Sequence, residues 1–511
     1  MFLLLFIPVF LVGVFLQRAV KVGTVPNYIL SWILDIYLRW RHPVKSQDGH
    51  SSIPGCPYVF PNGQGNVAKF YHGEVMSVKW RSRYGPIYRI WNGTSPEIIV
   101  GCPEEIKTIF HDSGDHLKAV DMNSGWVTGE LMGKCLGLAN QGDWSRIRVA
   151  FAEPFHQKTA PAYISLMQDR VQRQMETIEL AKLKNTSTMI LDPAEELLYL
   201  PFYVLGDILY GGMDEAMEQQ LRDIAACRDE LWKGAMTGGL ARFSIGRFIP
   251  GSKMRRGVDI FHQQWKEFND KALTRAKSIN MADAPIVSMY SALERGQLTE
   301  AELLHTLDEI MFVNLDVTVG NFSWNPVFLA ANPDIQQEIR DEIRQARSGH
   351  FDSWKAYISS NSSLLMASIL ESARLKPMAS FAVPQSLPTN RTVGGFVIPA
   401  HTEVVVDTCA LNIEDASWGP DRHEYCPKRF LGKSPMGWRY RFWRFGFGPR
   451  QCLGRHVVDI LLKTLLSYIV ENYQLTPAWS EGNEGHETWQ KRPDIWMNLA
   501  QQPIIWKKLN A

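Results

Sequence analysis

One short loop near the C-terminus constrains this chain more than any other feature. Residues 445–454 read FGFGPRQCLG, with Arg450 two positions before Cys452 and an apolar helical pattern that begins at Leu453. Glycines permit tight turns and the close approach of a flat partner. A nearby arginine, backbone amides and the N-terminal end of a helix all lower the pKa of a thiol. We therefore expect an exposed thiolate that serves as a metal ligand or a nucleophile.

The neighbours of Cys452 argue against a nucleophile. A nucleophilic cysteine needs a partner base, and His456 falls one turn into the following helix, where it would face away from the loop. The loop as a whole resembles the haem-binding loop of cytochrome P450 enzymes, whose fixed positions are filled here by Phe445, Gly448, Arg450, Cys452 and Gly454. The resemblance implies that Cys452 ligates the iron of haem b and that the other four residues help to bind the cofactor.

The resemblance covers roughly residues 50–511 and implies a fold that is mainly α-helical with small β-sheets. Haem would lie between a long central helix around Met311 and the helix that follows the cysteine loop. The patterns along the chain agree: a strand hairpin at residues 84–100, helices from about 103 to 375, strands and loops at 378–430, and an apolar helix at 453–471. Without a linker-like composition after about residue 60, one large domain is expected.

Charge and cysteine content exclude several classes of protein. The net charge is +1, which gives no electrostatic basis for nucleic-acid binding. The seven cysteines are scattered without CxxC spacing, which indicates a reducing compartment and neither a disulfide framework nor a zinc site. We expect a monomer.

The N-terminus predicts attachment to a membrane. Residues 2–16 are apolar throughout, which is short for a span of about 20 residues, and positive charge follows at Arg18 and Lys21. A second segment, residues 28–40, mixes aliphatic and aromatic residues with Asp35 and Arg39, so it could lie in the membrane interface or form a second short span. We expect an anchor at residues 1–45, a catalytic domain at 46–511 that faces the cytosol, and the endoplasmic reticulum membrane as the location.

The resemblance implies structural or haem-binding roles for two further motifs. Glu371 and Arg374 lie one helical turn apart, and Arg429 follows in the sequence PKRF; in the family such residues form an ion-pair network beneath the haem loop. Trp144 and Arg148, also one turn apart, correspond to side chains that reach the haem propionates.

The long helix at about 311–331 departs from the pattern of the family. Asp316 falls on the acidic position of the oxygen-activating segment, Asn314 replaces a usual glycine, and Val317 replaces the usual threonine. Thr318 comes next, but one residue rotates a side chain about 100° around a helix. Asp316 and Thr318 are the candidate catalytic residues. Either Thr318 or Asn314 acts through a shifted helix, or substrate or water supplies the hydroxyl, or oxygen is not inserted conventionally.

The resemblance implies a monooxygenase that uses O2 and electrons from an NADPH-dependent reductase to oxidise an apolar, medium-sized molecule. By analogy, the anchor, the tryptophan-rich composition and the variant central segment favour a fungal member of secondary metabolism. Four arginines, Arg146, Arg439, Arg441 and Arg444, could dock an acidic reductase. Candidate walls of the substrate pocket are Trp126, Phe312, Val313, Val317, Met378, Phe381 and Val383. A haem-thiolate isomerase, dehydratase or oxidative coupling enzyme, and a haem-binding protein without turnover, are the alternatives.

Overall fold

The computed structural model describes residues 25–183, 186–249, 251–279, 281, 283–349, 351–478 and 489–509. The apolar run at residues 2–16 lies outside these ranges. The described chain is mainly helical with small sheets, as the sequence predicts. Its α-helices are Val25–Arg41, Gly73–Tyr84, Pro103–Phe110, Trp126–Met132, Gln141–Phe151, Ile164–Lys182, Pro193–Glu196, Leu200–Tyr210, Glu215–Thr237, Lys253–Ser278, Pro285–Glu294, Glu300–Asp308, Asn314–Ala331, Pro333–Arg347, Phe351–Ser359, Leu364–Leu375 and Arg455–Asn472.

Local sequence signals set several of these boundaries. Thr299 and Glu302 form a reciprocal capping box at the start of Glu300–Asp308. Pro333 opens its helix, where the missing N–H costs nothing. Gly211 ends Leu200–Tyr210 in the left-handed conformation at φ +71°. Three π-helical turns occur at Val67–Tyr71, Glu309–Val313 and Ala410–Glu414, and short 3₁₀ turns occur at Glu153–Phe155, Ala160–Tyr163, Gly239–Arg242, Ser244–Phe248, Ala416–Trp418, Pro427–Phe430 and Pro435–Trp438.

The strands form three small sheets. In the largest, the predicted hairpin (strands Ile87–Asn92 and Ser95–Val100) is extended by a parallel strand, which places Glu97 directly opposite Glu403. All the strands are Lys45–Ser46, Ile87–Asn92, Ser95–Val100, Thr188–Leu191, Gln385–Ser386, Arg391–Val393, Phe396–Ile398, Glu403–Val406, Tyr473–Pro477 and Ile504–Lys508.

Asn314–Ala331, the central helix, runs through the main core. Phe322, Trp324 and Val327 of this helix are completely buried there. The central helix contacts Leu200–Tyr210, Leu364–Leu375, Arg455–Asn472 and the strand Tyr473–Pro477. All seven cysteines are free thiols, as the scattered spacing predicts.

The N-terminal helix, Val25–Arg41, is fixed to the domain along one side. The Asp35 carboxylate accepts the backbone N–H of Tyr58 at 2.8 Å, Arg39 donates to the Cys56 carbonyl at 3.0 Å, and Leu38 is buried. The opposite side exposes Tyr28, Ile29, Trp32, Ile33, Ile36, Tyr37 and Trp40. No helix of the described ranges is long and apolar enough to cross a bilayer. Residues 28–40 thus belong to one helix that packs on the domain through one side and exposes apolar side chains on the other.

Candidate functional site

The cysteine loop, residues 445–454, folds as a tight turn that precedes the helix Arg455–Asn472. Gly446 and Gly448 have φ of +79° and +74°, which other residues rarely adopt. A side chain at Gly448 would also collide with Ser113. The backbone N–H of Cys452 donates to the Phe445 carbonyl at 3.0 Å and closes the turn, and the Cys452 side chain is exposed. The glycines of the motif thus present a thiol at the surface of the loop.

The expectation that this loop lowers the pKa of the thiol is wrong for the protein alone. Desolvation raises the pKa of Cys452, and the Glu309 carboxylate raises it further. The Gly454 amide and the guanidinium groups of Arg455 and Arg148 oppose this shift without overcoming it. Amide donors and cations are therefore present as predicted, and a metal ion bound at the sulfur would favour the thiolate.

Two arginines and a tryptophan lie beside the loop. Arg148 donates to the carbonyl of Gln451 at 3.1 Å, and Arg450 donates to the carbonyl of His116 at 2.9 Å. Both guanidinium groups lie against the Trp144 ring, 5.8 Å and 5.6 Å from its centroid. The structure thus brings Arg450 together with Trp144 and Arg148, although Arg450 is distant from them in the sequence.

Two charged residues of this region had no motif to reveal them. Burial and the neighbouring Arg450 cation lower the pKa of Lys118 to about 8. Burial raises the pKa of Glu309, whose carboxylate accepts the Gly137 N–H at 2.9 Å. A Cβ at Gly137 would overlap this carboxylate, so a larger residue there would displace the Glu309 side chain. One feature of the sequence could have pointed to Glu309: it precedes Asp316 by seven residues, about two helical turns.

The charges around the loop test whether the implied haem fits. Lys118, Arg148 and Arg450 carry three positive charges. The carboxylates that act on them are Glu309, on Lys118 and Arg450, and Glu403, on Lys118. Desolvation lowers the pKa of all three cations, so further anions beside them would stabilise their charge. The two propionates of haem b are such anions. Together with the exposed thiol, the residues fit haem.

Side chains from the helix Glu300–Asp308 and the following turn also hold the segment 134–137. His305 Nδ1 accepts the Lys134 N–H at 3.1 Å, and Thr306 accepts the Leu136 N–H at 3.1 Å. Burial lowers the pKa of His305 to about 4, so the imidazole is a neutral acceptor at ordinary pH. With the bond from Gly137 to Glu309, three backbone amides of one irregular segment are bound to neighbouring turns of helix.

The predicted ion-pair network is assembled beneath the loop. Glu371 bonds Arg374 at 2.8 Å and Arg429 at 2.9 Å, and all three side chains are buried. Arg374 donates to the Asn412 carbonyl at 3.1 Å, while the Asn412 amide group bonds both the N–H and the carbonyl of Trp443 at 2.8 Å. The network therefore connects to the segment that leads into the cysteine loop.

The central helix begins directly after the π-turn Glu309–Val313. The Asn314 amide donates to the Ile310 carbonyl at 2.7 Å, and Thr318 donates its hydroxyl proton to Asn314 Oδ1 at 3.1 Å. Thr318 is buried, with 2% of its surface exposed. The unusual asparagine thus bridges the π-turn and Thr318, and the Thr318 hydroxyl is engaged within the helix.

Asp316 faces a separate cavity of about 260 Å³, the charged cavity. Trp496 Nε1 donates to the Asp316 carboxylate at 2.7 Å, and burial raises the pKa of Asp316 to about 6. The cavity is lined by Tyr71, Leu198, Tyr199, Ala225, Ala226, Arg228, Asp229, Lys233, Phe312, Leu315, Asp316, Arg492, Asp494, Ile495 and Trp496. Sequence reasoning did not find Trp496, which lies 180 residues from its partner.

The predicted substrate walls fall into two groups. Val313, Val317, Met378 and Val383 are half-buried at the edge of the main core, and Trp126 and Phe312 are buried within it. Phe312 lines the charged cavity and packs 4.8 Å from Trp265 between ring centroids. Phe381 is a wrong prediction: it is completely buried in the sheet cluster, where its ring packs 5.7 Å from Trp80.

A second cavity, of about 870 Å³, lies against the cysteine loop and is called the basic groove. Phe445, Gly446, Gly448 and Gln451 line it together with the cations Lys433, Arg439 and Arg455. Of the four predicted arginines, Arg439 and Arg444 line this groove. Arg444 pairs with Asp459 at 2.7 Å, and Arg146 pairs with Glu302 at 2.6 Å, so their charges are neutralised internally.

Comparisons with known proteins agree with this geometry. The sequence model of the family described as Cytochrome P450 matches residues 54–493. The cytochrome P450 monooxygenase asaD of Aspergillus flavus is 39% identical over 503 residues, covering 96% of each chain. The monooxygenase aclC of Aspergillus oryzae is 40% identical over 91% of this chain and 93% of its own. A solved structure of a zebrafish cytochrome P450 with progesterone matches 85% of this chain and 99% of its own, with a TM-score of 0.66 at 17% identity.

Proposed function

The chain belongs to the cytochrome P450 family of haem-thiolate monooxygenases, and we propose that it oxidises an apolar, medium-sized organic molecule in fungal secondary metabolism. The observation that carries the proposal is the exposed Cys452 thiol beside three partly buried cations. Fungal monooxygenases of the same length and about 40% identity support the setting. The half-buried Val313, Val317, Met378 and Val383 supply an apolar surface for the substrate.

The cofactor of the proposal is haem b, which when bound supplies the one-electron and oxygen chemistry that side chains lack. Cys452 would provide the thiolate ligand of the iron, and Arg148, Arg450 and Lys118 would bind the propionates with charge-assisted hydrogen bonds. Trp144 holds the two guanidinium groups in place through its ring. The Glu371 network fixes the chain that leads into the loop and takes no part in the chemistry.

Asp316 is the side chain that we assign to proton transfer. Its pKa of about 6 lies near neutral pH, where a general acid can both hold and release a proton. Val317 has no proton to give, and Thr318 already donates its proton to Asn314. We therefore infer that a hydroxyl between Asp316 and the substrate comes from water or from the substrate itself.

We propose that electrons arrive from an NADPH-dependent flavin reductase that docks at the basic groove. Lys433, Arg439 and Arg455 line this groove next to the cysteine loop, and their positive charge complements an acidic partner. Such steering acts through long-range attraction, so reduction of the enzyme should slow as ionic strength rises.

We further propose that the protein associates with the endoplasmic reticulum membrane and that its catalytic domain faces the cytosol. The exposed side of Val25–Arg41 carries four aromatic and three aliphatic side chains, a composition typical of helices that lie in a membrane interface. Ile245, Phe248 and Ile249 add a second exposed apolar group of side chains. Binding of the purified protein to vesicles should weaken when Trp32 and Trp40 are both changed to Ser, and unchanged binding would contradict the role of this helix.

The decisive test of the haem assignment is the carbon monoxide difference spectrum of the reduced protein. A band near ~450 nm that disappears in Cys452→Ala would establish thiolate-ligated haem. A matched control is Cys426→Ala, which removes a free thiol outside the loop and should leave the band intact. A band near ~420 nm in freshly folded protein would overturn the assignment. Incubation with a reductase, NADPH, ¹⁸O2 and a panel of apolar compounds then identifies the substrate and its oxidised position.

A further inference from the structure

The candidate acid of the central helix receives its hydrogen bond from the C-terminal loop. Resting on the proposed function of Asp316, we propose that Trp496 is a positioning residue: it orients the Asp316 carboxylate and sets its affinity for protons that arrive through the charged cavity. The contact is Nε1–H to Oδ2 at 2.7 Å, and it joins residues 180 positions apart.

The Trp496 ring is held rigidly enough to perform this task. It packs edge-to-face against Phe70 at 5.9 Å and against Trp232 at 5.3 Å between ring centroids, and 8% of its surface is exposed. Phe70 precedes the first large helix of the domain, and Trp232 lies on Glu215–Thr237. The direction of the indole N–H is therefore fixed by two elements that are independent of the central helix.

Other charged groups face the charged cavity, and each cation is already paired with another carboxylate. Arg228 bonds Asp308 at 3.1 Å, Lys233 bonds Asp229 at 2.7 Å, and Arg492 bonds Asp494 at 3.2 Å. The hydroxyl groups of Tyr71 and Tyr199 complete the polar lining. Because those cations are engaged, Asp316 depends on a neutral donor, the indole, for its direct stabilisation.

Two opposing effects determine the charge of Asp316. Burial favours the neutral acid, while the indole hydrogen bond favours the carboxylate and lowers the pKa. Asp229 also raises the pKa, and Arg228 and Lys233 lower it from a greater distance. Loss of the indole N–H should therefore move the titration of Asp316 to higher pH, by about one pH unit for a hydrogen bond to a charged group.

The mechanistic consequence follows from the position of the cavity. Phe312 of the π-turn and Leu315 and Asp316 of the central helix line it, so these three side chains lie on one side. Val313 and Val317 each come one residue after a lining residue and therefore project about 100° away. Water in the cavity can exchange protons with Asp316 on the face that Trp496 covers. Trp496 thus holds the Asp316 carboxyl group between the charged cavity and the side of the helix that carries Val313 and Val317.

Infrared titration of carboxyl groups tests the proposal without any substrate. The band that Asp316→Asn removes should titrate near pH 6 in the unaltered protein and about one pH unit higher in Trp496→Phe. Trp496→His keeps a ring N–H and should restore part of the shift. The matched control is Trp232→Phe: it removes an indole of the same cluster whose N–H has no partner among the described residues, and it should not move the band.

An unchanged Asp316 titration in Trp496→Phe, or an equal shift in Trp232→Phe, would overturn the proposal. A second readout is the hydrogen peroxide released per NADPH oxidised with a reductase, whose pH profile should shift with the infrared titration. The carbon monoxide spectrum distinguishes failure of the proposed function from failure of the role proposed for Trp496. If the thiolate band is missing, the proposed function fails, whereas the titration still decides the role of Trp496.

Discussion

The buried pair Glu97 and Glu403 allows a quantitative prediction about stability. These carboxylates lie directly opposite each other on parallel strands, and Lys69 pairs only with Glu97, at 2.8 Å. Burial and the neighbouring Glu97 raise the pKa of Glu403 from its ordinary value of 4.5 to about 7. Ser386 donates one hydrogen bond to Glu403 at 3.1 Å, and the other carboxylate oxygen has no partner among the described residues.

The folded protein therefore binds a proton at Glu403 more tightly than the unfolded chain does. Its unfolding free energy should fall as pH rises from 4.5 to 7 and then stay low, because ionised Glu403 is disfavoured only in the folded state. At about 1.4 kcal/mol per pH unit, the loss at pH 8 is on the order of 3 kcal/mol. Glu403→Gln, which stays neutral, should recover most of this loss at pH 8 and almost none at pH 4.5.

Urea unfolding of the haem-loaded protein, followed by tryptophan fluorescence at several pH values, measures this difference. A second variant, Glu97→Gln, leaves Lys69 buried without its partner and should destabilise by about 3–5 kcal/mol at pH 4.5, where Glu403 is neutral. Because it also removes the charge that raises the pKa of Glu403, its unfolding free energy should fall less between pH 4.5 and 8. A Glu403→Gln variant whose unfolding free energy runs parallel to that of the unaltered protein between pH 4.5 and 8 would refute the reasoning.

Three other predictions concern the site. Glu371→Ala leaves Arg374 and Arg429 without their shared carboxylate and should cost about 3–5 kcal/mol, seen as a lower urea midpoint and lower haem content. Lys118→Met should speed the transfer of haem to apomyoglobin several-fold, whereas an unchanged rate would remove Lys118 from the binding set. Val317→Thr places a hydroxyl where water or substrate is proposed to supply one and should change both the peroxide released per NADPH and the product distribution; if neither changed, the proposed relay would lose its support.

The sequence predicted the parts of the molecule that depend on local chemistry. The cysteine loop needs glycines at two positions with positive φ, and the ion pair between Glu371 and Arg374 needs a separation of one helical turn. Both requirements appear in the sequence as a fixed spacing of residues. The fold class followed from periodicity, and the hairpin at residues 87–100 from two adjacent apolar runs. The central departure, Val317, was likewise visible as a single residue out of place.

The remaining parts depend on contacts between distant segments or on solvation. Lys118 and Trp496 belong to no motif, because their roles arise from tertiary neighbours such as Arg450 and Asp316. The sign of the Cys452 pKa shift was wrong, since the amide and arginine donors were visible in the sequence and the cost of desolvation was not. Phe381 was misplaced for a related reason: an apolar residue near the site can equally belong to the core of a sheet.

The bonds from His305, Thr306 and Glu309 to the segment 134–137 have a consequence for motion. Amide protons of irregular segments usually exchange with deuterium quickly, because local opening there costs little. Here the N–H groups of Lys134, Leu136 and Gly137 end on side chains of helical turns, so they open only when those turns are displaced. In deuterium exchange these three amides should exchange as slowly as the amides of the helix Glu300–Asp308. The segment 134–137 is therefore rigid.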